Sequence, residues 1–184
     1  MGILSAIAAP SWLSWRNNQW LGNARGQLAE AMRKAQSEAK LKKVGYSVVF
    51  DNGREPLLGN SGQVRYAIVP TAVALNEVTN WTPIGGGNIP SRGISLRTST
   101  ISVTRTNAAG ATTTATEPRL VFDTYGSVAV TDRSARAENS ELFVAQISIG
   151  KNIDPQKSAR RCVIVTSLLG SMRDAESKNC KLPN

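Results

Sequence analysis

The chain has 184 residues, of which 41% are apolar and 19% charged, a composition typical of one globular domain and not of a disordered chain. It contains no histidine, which excludes a Ser-His or Cys-His nucleophile pair and an imidazole general base. The net charge of +9 leaves polyanions open as partners. We therefore expect no enzyme, no metal site, no cofactor and no small-molecule substrate.

The positive charge is concentrated in two parts of the chain. Residues 16–43 contain seven basic and two acidic residues, a balance of +5, and residues 151–184 contain seven and three, a balance of +4. Residues 44–150 contain eight of each and are neutral. Two explanations of this charge distribution are open. The charges lie on solvated helix faces and aid solubility, or they attract the phosphate groups of nucleic acid or anionic lipid.

The first element is an apolar, uncharged segment at residues 2–13. It is shorter than the roughly 20 residues that cross a bilayer and lacks the basic start of a signal peptide, so we expect further apolar sequence upstream of Met1. Near its end lie the residues expected at a membrane–water boundary, namely Trp12, Trp15, Arg16 and Trp20. We predict that residues 1–15 are the remaining part of a hydrophobic anchor helix. The alternative is a buried N-terminal helix of a soluble protein.

Residues 16–43 are predicted to form an amphipathic helical stem. Its apolar residues recur every three or four positions and form one narrow stripe, made of Leu21, Ala24, Leu28, Ala31, Ala35 and Ala39. Because most of the stripe is alanine, whatever packs there must approach the helix backbone closely. The helix is predicted to end near residues 43–45, where β-branched residues take over.

Residues 44–184 are predicted to form a β-rich globular head. Alternating, β-branched segments predict six to eight short strands, at residues 44–50, 63–69, 94–106, 119–123, 127–131, 142–150 and 160–166. Asn52-Gly53 predicts a tight hairpin, residues 70–93 a long loop, and residues 107–116 an exposed hairpin loop. One long helix followed by strands joined mostly by hairpins predicts an α+β fold on an antiparallel sheet.

The two cysteines, Cys162 and Cys180, lie in the last part of the chain and match no zinc-binding spacing. A disulfide that closes a C-terminal loop in an exported protein explains them; the chain-entropy model gives about 3 kcal/mol for a loop of this size. Two reduced, unrelated thiols in a cytosolic protein are the alternative.

The C-terminal segment carries the candidate DNA-binding residues. On an α+β head its cations are expected to form one exposed patch that neutralises phosphates without reading bases. They are Arg160, Arg161, Arg173, Lys178 and Lys181. Aromatic residues that would stack on bases are absent from the neighbouring sequence, and ordinary solubility is the alternative explanation.

Several segments together resemble a known family. The run MGILSAIAAPSWL resembles the second half of the N-terminal segment shared by type IV pilins and type II secretion pseudopilins. The stem at 16–43 with the strand after it, LVFDTYGSV at 120–128 and RCVIVTSLLGSMR at 161–173 resemble the GspH/FimT type of minor pseudopilin. The leader peptide and the first part of the mature helix of that family have no counterpart here. Some members bind DNA through a Gly-Arg-x-Arg tail, and this chain has Gly170-Ser171-Met172-Arg173 instead.

The resemblance implies a pilin-like fold and a structural role, priming or capping a type IV pilus or type II secretion pseudopilus. It implies an inner-membrane anchor, a periplasmic head, later placement in a surface filament, and other pilins as partners. The alternative role is non-specific capture of DNA during natural transformation. The residues expected to anchor the helix in the membrane or pack it in the filament are Ile3, Leu4, Ile7, Pro10, Leu13, Leu21 and Leu28.

Overall fold

One long helix, α1, forms the spine of the molecule and runs Leu4–Lys42. Its 39 residues give a length of about 58 Å. The helix ends at Lys42, and Lys43 adopts a positive φ of 55°, so the end of the helix lies where the sequence predicts it. The structure, a computed structural model, describes residues 4–53, 62–85, 94–106, 110–129, 141–149 and 159–180.

The alanine stripe of α1 is the centre of the hydrophobic core. All six stripe residues are at most 1% exposed, as predicted. Met32 and Ala29 join them on the buried face. Leu21 and Leu28, which we expected to pack in a membrane or against other subunits, face this chain's own strands instead. Their burial follows from the period of the stripe, which places them on the same face as the alanines.

Ten strands are assigned in the described part of the chain, and all of their pairings are antiparallel. The first sheet contains β1 Tyr46–Asp51, β2 Arg65–Pro70, β3 Thr82–Pro83 and β7 Arg119–Phe122. The second sheet contains β4 Ile94–Thr98, β8 Phe143–Ile149, β9 Arg160–Val165 and β10 Met172–Glu176. A separate ribbon contains β5 Ile101–Thr106 and β6 Thr112–Glu117.

The strand orders are β3-β2-β1-β7 and β10-β9-β8-β4. Helix α1 contacts both sheets, through β1, β2 and β7 of the first and through β8 and β9 of the second. The predicted α+β fold with a long helix on antiparallel strands is therefore confirmed, although the strands form two sheets and a ribbon and not one continuous sheet.

The strand predictions were wrong in several details. The segment 94–106 divides into β4 of the second sheet and β5 of the ribbon. Between them, the N–H of buried Ser99 donates to Val144 O at 2.8 Å, and the Val144 N–H donates to the Ser99 hydroxyl at 2.9 Å. Part of the predicted loop 107–116 is strand β6, and β10 was not predicted. Of the predicted strand at 127–131, the structure describes residues 127–129, in which Val128 forms an isolated bridge with Phe122; residues 130 and 131 lie outside the described part.

The prediction of a tight hairpin turn at Asn52-Gly53 was also wrong. The register pairs Asp51 with Arg65, so residues 52–64 all lie between the two strands. Gly53 still adopts a positive φ of 74°, and its N–H donates to Asp51 Oδ1 at 2.7 Å. The Asn-Gly signal therefore marks a local bend and not the length of the loop.

A buried ion pair fixes the junction of β6 and β7. The Arg119 side chain is fully buried, and its Nε lies 2.9 Å from Glu117 Oε2. Its Nη1 and Nη2 donate to the carbonyl oxygens of Thr71 and Val73 at 3.1 and 2.9 Å. One arginine thus ties β7 to the segment that follows β2.

We expect Arg119→Met to lower the free energy of unfolding by about 3–5 kcal/mol, because it removes the positive charge that is paired with the buried Glu117 carboxylate. Arg173→Met is the control. Arg173 is about half exposed and paired with Glu141, and its loss should cost less than about 1 kcal/mol. Equal losses in urea unfolding would contradict this ranking.

We expect Leu28→Ala to lower the free energy of unfolding by about 2–5 kcal/mol, because it opens a cavity between α1 and the sheets. Gly26→Ala should instead raise it by up to about 1 kcal/mol, since a methyl group at Gly26 meets nothing within 4 Å. Urea titrations of both variants, compared at constant m-value, measure the two effects. If Leu28→Ala leaves the free energy of unfolding unchanged, the stripe does not stabilise the core.

Candidate interaction surfaces of the helix and the C-terminal strands

The first half of α1 is exposed where its side chains are described. Trp12 and Trp15 are 59% and 54% exposed, and their ring centroids lie 5.1 Å apart. The Arg16 guanidinium lies over the Trp20 ring at 4.8 Å, and Trp20 packs against the edge of the core. From Leu21 onward the apolar side of the helix is buried, so the helix changes environment at about this residue.

The expected anchor residues lie mostly outside the described part of the chain. Ile3 precedes it, and the side chains of Leu4, Ile7, Pro10 and Leu13 are not among those described. The helical backbone itself continues without interruption through Pro10. In the ranges that the structure describes, no helix combines the length and apolarity needed to cross a membrane.

A shallow polar cleft of about 260 Å³ lies between the exposed half of α1 and β9. It is lined by Trp15, Asn18, Gln19, Gly22, Asn23 and Arg161. The Arg161 guanidinium is bonded to Glu176 on β10 at 2.5 Å, and Arg25 of the helix lies 3.4 Å from Asp174 on the same strand. The salt bridge between Arg25 and Asp174 therefore joins the helix to the second sheet beside this cleft.

The described C-terminal strands do not form the single basic patch that we expected. Arg161 faces α1, while Arg160 lies with Cys162 on the opposite face of β9, because successive side chains of a strand point to opposite faces. Arg173 lies opposite Ile164 in the register and so shares the face of Arg160. Its Nη2 is bonded to Glu141 at 2.5 Å. The side chain of Lys178 and all of Lys181 lie outside the described part.

Gln36 of α1 holds two turns of the head. Its Nε2 donates to the carbonyl oxygens of Gly126 and Leu169 at 2.8 and 2.9 Å. Both turns place a glycine at positive φ, 77° at Gly126 and 79° at Gly170. The two turns also bond each other, because Val128 N–H donates to Leu168 O at 2.7 Å.

Both glycines have a backbone angle that other residues rarely adopt, and both lie close to side chains of the stem. A methyl group at Gly126 would overlap the Lys40 side chain, and one at Gly170 would overlap the Gln36 amide. The segments 120–128 and 161–173, on which the family resemblance depends, therefore meet at one residue of the stem. Sequence reasoning did not find Gln36, since a single glutamine on a helix carries no local signal.

The paired turns expose apolar side chains. Tyr125 and Leu169 are each 78% exposed, and Leu168 is 40% exposed.

At the nearby end of the helix, Lys42 Nζ is bonded to Glu38 at 2.8 Å and to the Tyr46 hydroxyl at 3.0 Å. The hydrogen bond from Lys42 lowers the pKa of the Glu38 carboxyl, and the bonds to Glu38 and then Tyr46 raise the pKa of Lys42.

The predicted disulfide is present. Cys162 and Cys180 are joined, with a Cα–Cα distance of 5.8 Å, and both are buried in a small cluster with Val144, Ile164 and Ala175. The bond ties the segment after β10 to the middle of β9, on the face of the second sheet opposite α1.

Comparisons with known proteins give one likeness of fold. No protein-family model matches the chain, and no curated protein matches it. Among solved structures, the chain is similar to the crystal structure of the type IV minor pilin FimU of Pseudomonas aeruginosa (strain PAO1), with 13% identity and a TM-score of 0.47. The alignment covers 92% of this chain and 96% of that one.

We expect Gln36→Leu to lower the free energy of unfolding by about 1–3 kcal/mol, because it leaves two carbonyl groups without their donor. Ser37→Ala, at an exposed neighbouring position, is the control and should change it by less than about 0.5 kcal/mol. Hydrogen exchange at the Val128 amide should accelerate only in Gln36→Leu. Unchanged exchange there would contradict the role of Gln36 in holding the turns.

Proposed function

We propose that the chain is a minor pilin or pseudopilin, a structural subunit that primes or caps a type IV pilus or a type II secretion pseudopilus. The proposal begins from the sequence resemblance, which covers the start of the helix, the stem, the segment at 120–128 and the segment at 161–173. The α+β fold, with one helix against antiparallel strands, is the architecture that this resemblance implies.

The division of α1 is the observation that carries the proposal. The part from Leu21 to Lys42 supplies the core of the head, whereas the described side chains from Trp12 to Gln19 are mostly exposed. Trp12 and Trp15 together expose a large aromatic surface, which is typical of an interaction site. One half of the helix is thus buried in the head, and the other half is exposed. This arrangement suits a subunit whose exposed half packs against the helices of neighbouring subunits.

The arrangement around Gln36 supports the same proposal. The stem and the two segments that resemble the GspH/FimT group contact one another at this residue, although they are far apart in the chain. The contact explains why the resemblance lies in these three segments, because Gly126 and Gly170 leave room for the side chains of the stem.

The proposed location follows from the proposed role. The N-terminal segment is anchored in the bacterial inner membrane, the head lies in the periplasm, and the subunit later enters a pilus or pseudopilus. The partners are other pilins, which contact the exposed half of α1. The disulfide suits an oxidising compartment such as the periplasm.

Capture of DNA, the alternative role, has less support. Arg161 and Arg173 are each bonded to a carboxylate, which reduces the charge that they offer to phosphate. They also lie on opposite faces of the second sheet. DNA capture therefore remains the alternative function, and the proposed function is the structural one.

We expect the double variant Trp12→Ala, Trp15→Ala to reduce co-purification with other pilin subunits at least about tenfold, as for loss of buried aromatic anchors at an interface. Its free energy of unfolding should change by less than about 0.5 kcal/mol, because both side chains are exposed in the single chain. The measurement is affinity purification from the native host, followed by mass spectrometry.

The matched control is Tyr125→Ala, which removes an exposed aromatic side chain from the head far from this part of the helix. It should leave co-purification of pilins unchanged. If the Trp variant unfolds the head, the helix is an internal element of a soluble protein. If it folds and retains every pilin partner, the exposed half of α1 is not the contact surface.

A further inference from the structure

Three buried polar atoms without hydrogen-bond partners lie together on the second sheet. They are Gln146 Nε2, Ser148 Oγ and Arg160 Nε. Gln146 and Ser148 are 2% and 0% exposed, and Arg160 is partly buried. Folded proteins satisfy the large majority of their buried polar groups. Three such atoms on neighbouring strands are compatible with one partner that bonds all of them.

The strand register brings these side chains together. Ser148 on β8 lies directly opposite Arg160 on β9, and Gln146 lies opposite Cys162, one diagonal step from Arg160. Side chains directly opposite each other in an antiparallel pair are about 5 Å apart at Cβ, and diagonal ones about 7–8 Å. All three polar side chains are thus within reach of one small group.

All of them lie on the face of the second sheet that points away from α1. Phe143, Ala145 and Ile147 of β8 pack in the main core with the helix, so Gln146 and Ser148 point to the other side. Strand β4 adds two residues on that side, because the register pairs Ser95 with Ser148 and Arg97 with Gln146. We name the set Ser95, Arg97, Gln146, Ser148 and Arg160 the outer-face cluster.

The charge and donors of the cluster select the ligand. At the outward positions of the described strands β4, β8, β9 and β10 there are three arginines and no carboxylate. Glu141 neutralises Arg173 from outside these strands, whereas Arg97 and Arg160 belong to the cluster. Guanidinium and amide N–H groups are donors only, and a serine hydroxyl donates as well. A donor-rich, positively charged set fits an anion with several acceptor oxygens.

We propose that the outer-face cluster binds a phosphate-type oxyanion. Gln146 Nε2 and Ser148 Oγ donate from the buried base of the site, Arg160 donates through Nε and its terminal N–H groups, and exposed Arg97 supplies charge at the rim. Arginine suits this task, because its planar fork matches phosphate geometry and its hydrogen bonds to an anion are charge-assisted. The ligand is either free phosphate or a monoester, or a phosphodiester of a nucleic-acid backbone. The site is independent of the proposed filament role.

The test compares thermal unfolding of the full chain in inorganic phosphate and in chloride at equal ionic strength. A ligand that binds only the folded chain raises Tm with its concentration. We expect phosphate to raise Tm and chloride not to do so. Arg160→Gln should weaken phosphate binding at least about tenfold, as for loss of a charged hydrogen bond. Arg33→Gln, at an exposed position of α1, is the matched control and should bind like the natural sequence.

Gln146→Leu separates binding from structural support. It should abolish the effect of phosphate while leaving Tm without phosphate unchanged or higher, because it removes a buried donor that lacks a partner. A Gln146 with a purely structural role predicts a lower Tm and an unchanged response to phosphate.

Two results would overturn the proposal. If phosphate and chloride give the same Tm, water alone satisfies the cluster. If phosphate stabilises Arg160→Gln and Gln146→Leu as much as the natural sequence, its effect comes from general exclusion from the surface or from another site, and the outer-face cluster does not bind it. A second arm with a short DNA duplex identifies the source. Duplex binding that phosphate displaces and that Arg160→Gln loses indicates a phosphodiester, whereas a response to phosphate alone indicates a free or monoester phosphate.

Discussion

The close approach of the alanine stripe of α1 to two separate sheets is the constraint on which the rest of the structure depends. In the described part of the chain, the buried face of α1 packs against strands of both sheets in one hydrophobic core. Alanine permits this because its side chain ends at Cβ, and the strands can lie near the helix backbone. A larger residue at Ala24 or Ala35 would have to move a sheet, since cores are packed at crystal-like density.

The same helix serves two environments along its length. Its second half is an internal element of the head, fixed further by Gln36 and by the ion pair between Arg25 and Asp174. Its first half presents tryptophans and carboxamides to its surroundings. The two halves belong to one continuous helix.

Buried polar groups are handled differently on the two sheets. On the first sheet, Arg119 is fully buried but bonded to a carboxylate and to two backbone carbonyl groups, so its charge is compensated within the chain. On the outer face of the second sheet, Gln146 and Ser148 are as buried as Arg119 and lack such partners.

The sequence alone determined the length of the helix stem, its buried stripe, its end near Lys43, the α+β class and the pairing of Cys162 with Cys180. These depend on local period, on turn residues or on the choice between only two cysteines. Tertiary structure alone decided that 94–106 divides between two sheets, that Met172–Glu176 forms a strand, and that Gln36 joins two distant turns. It also gave Arg161 and Arg173 carboxylate partners. These features depend on strand register and on contacts between residues far apart in the chain, which the spacing of residues along a sequence does not encode.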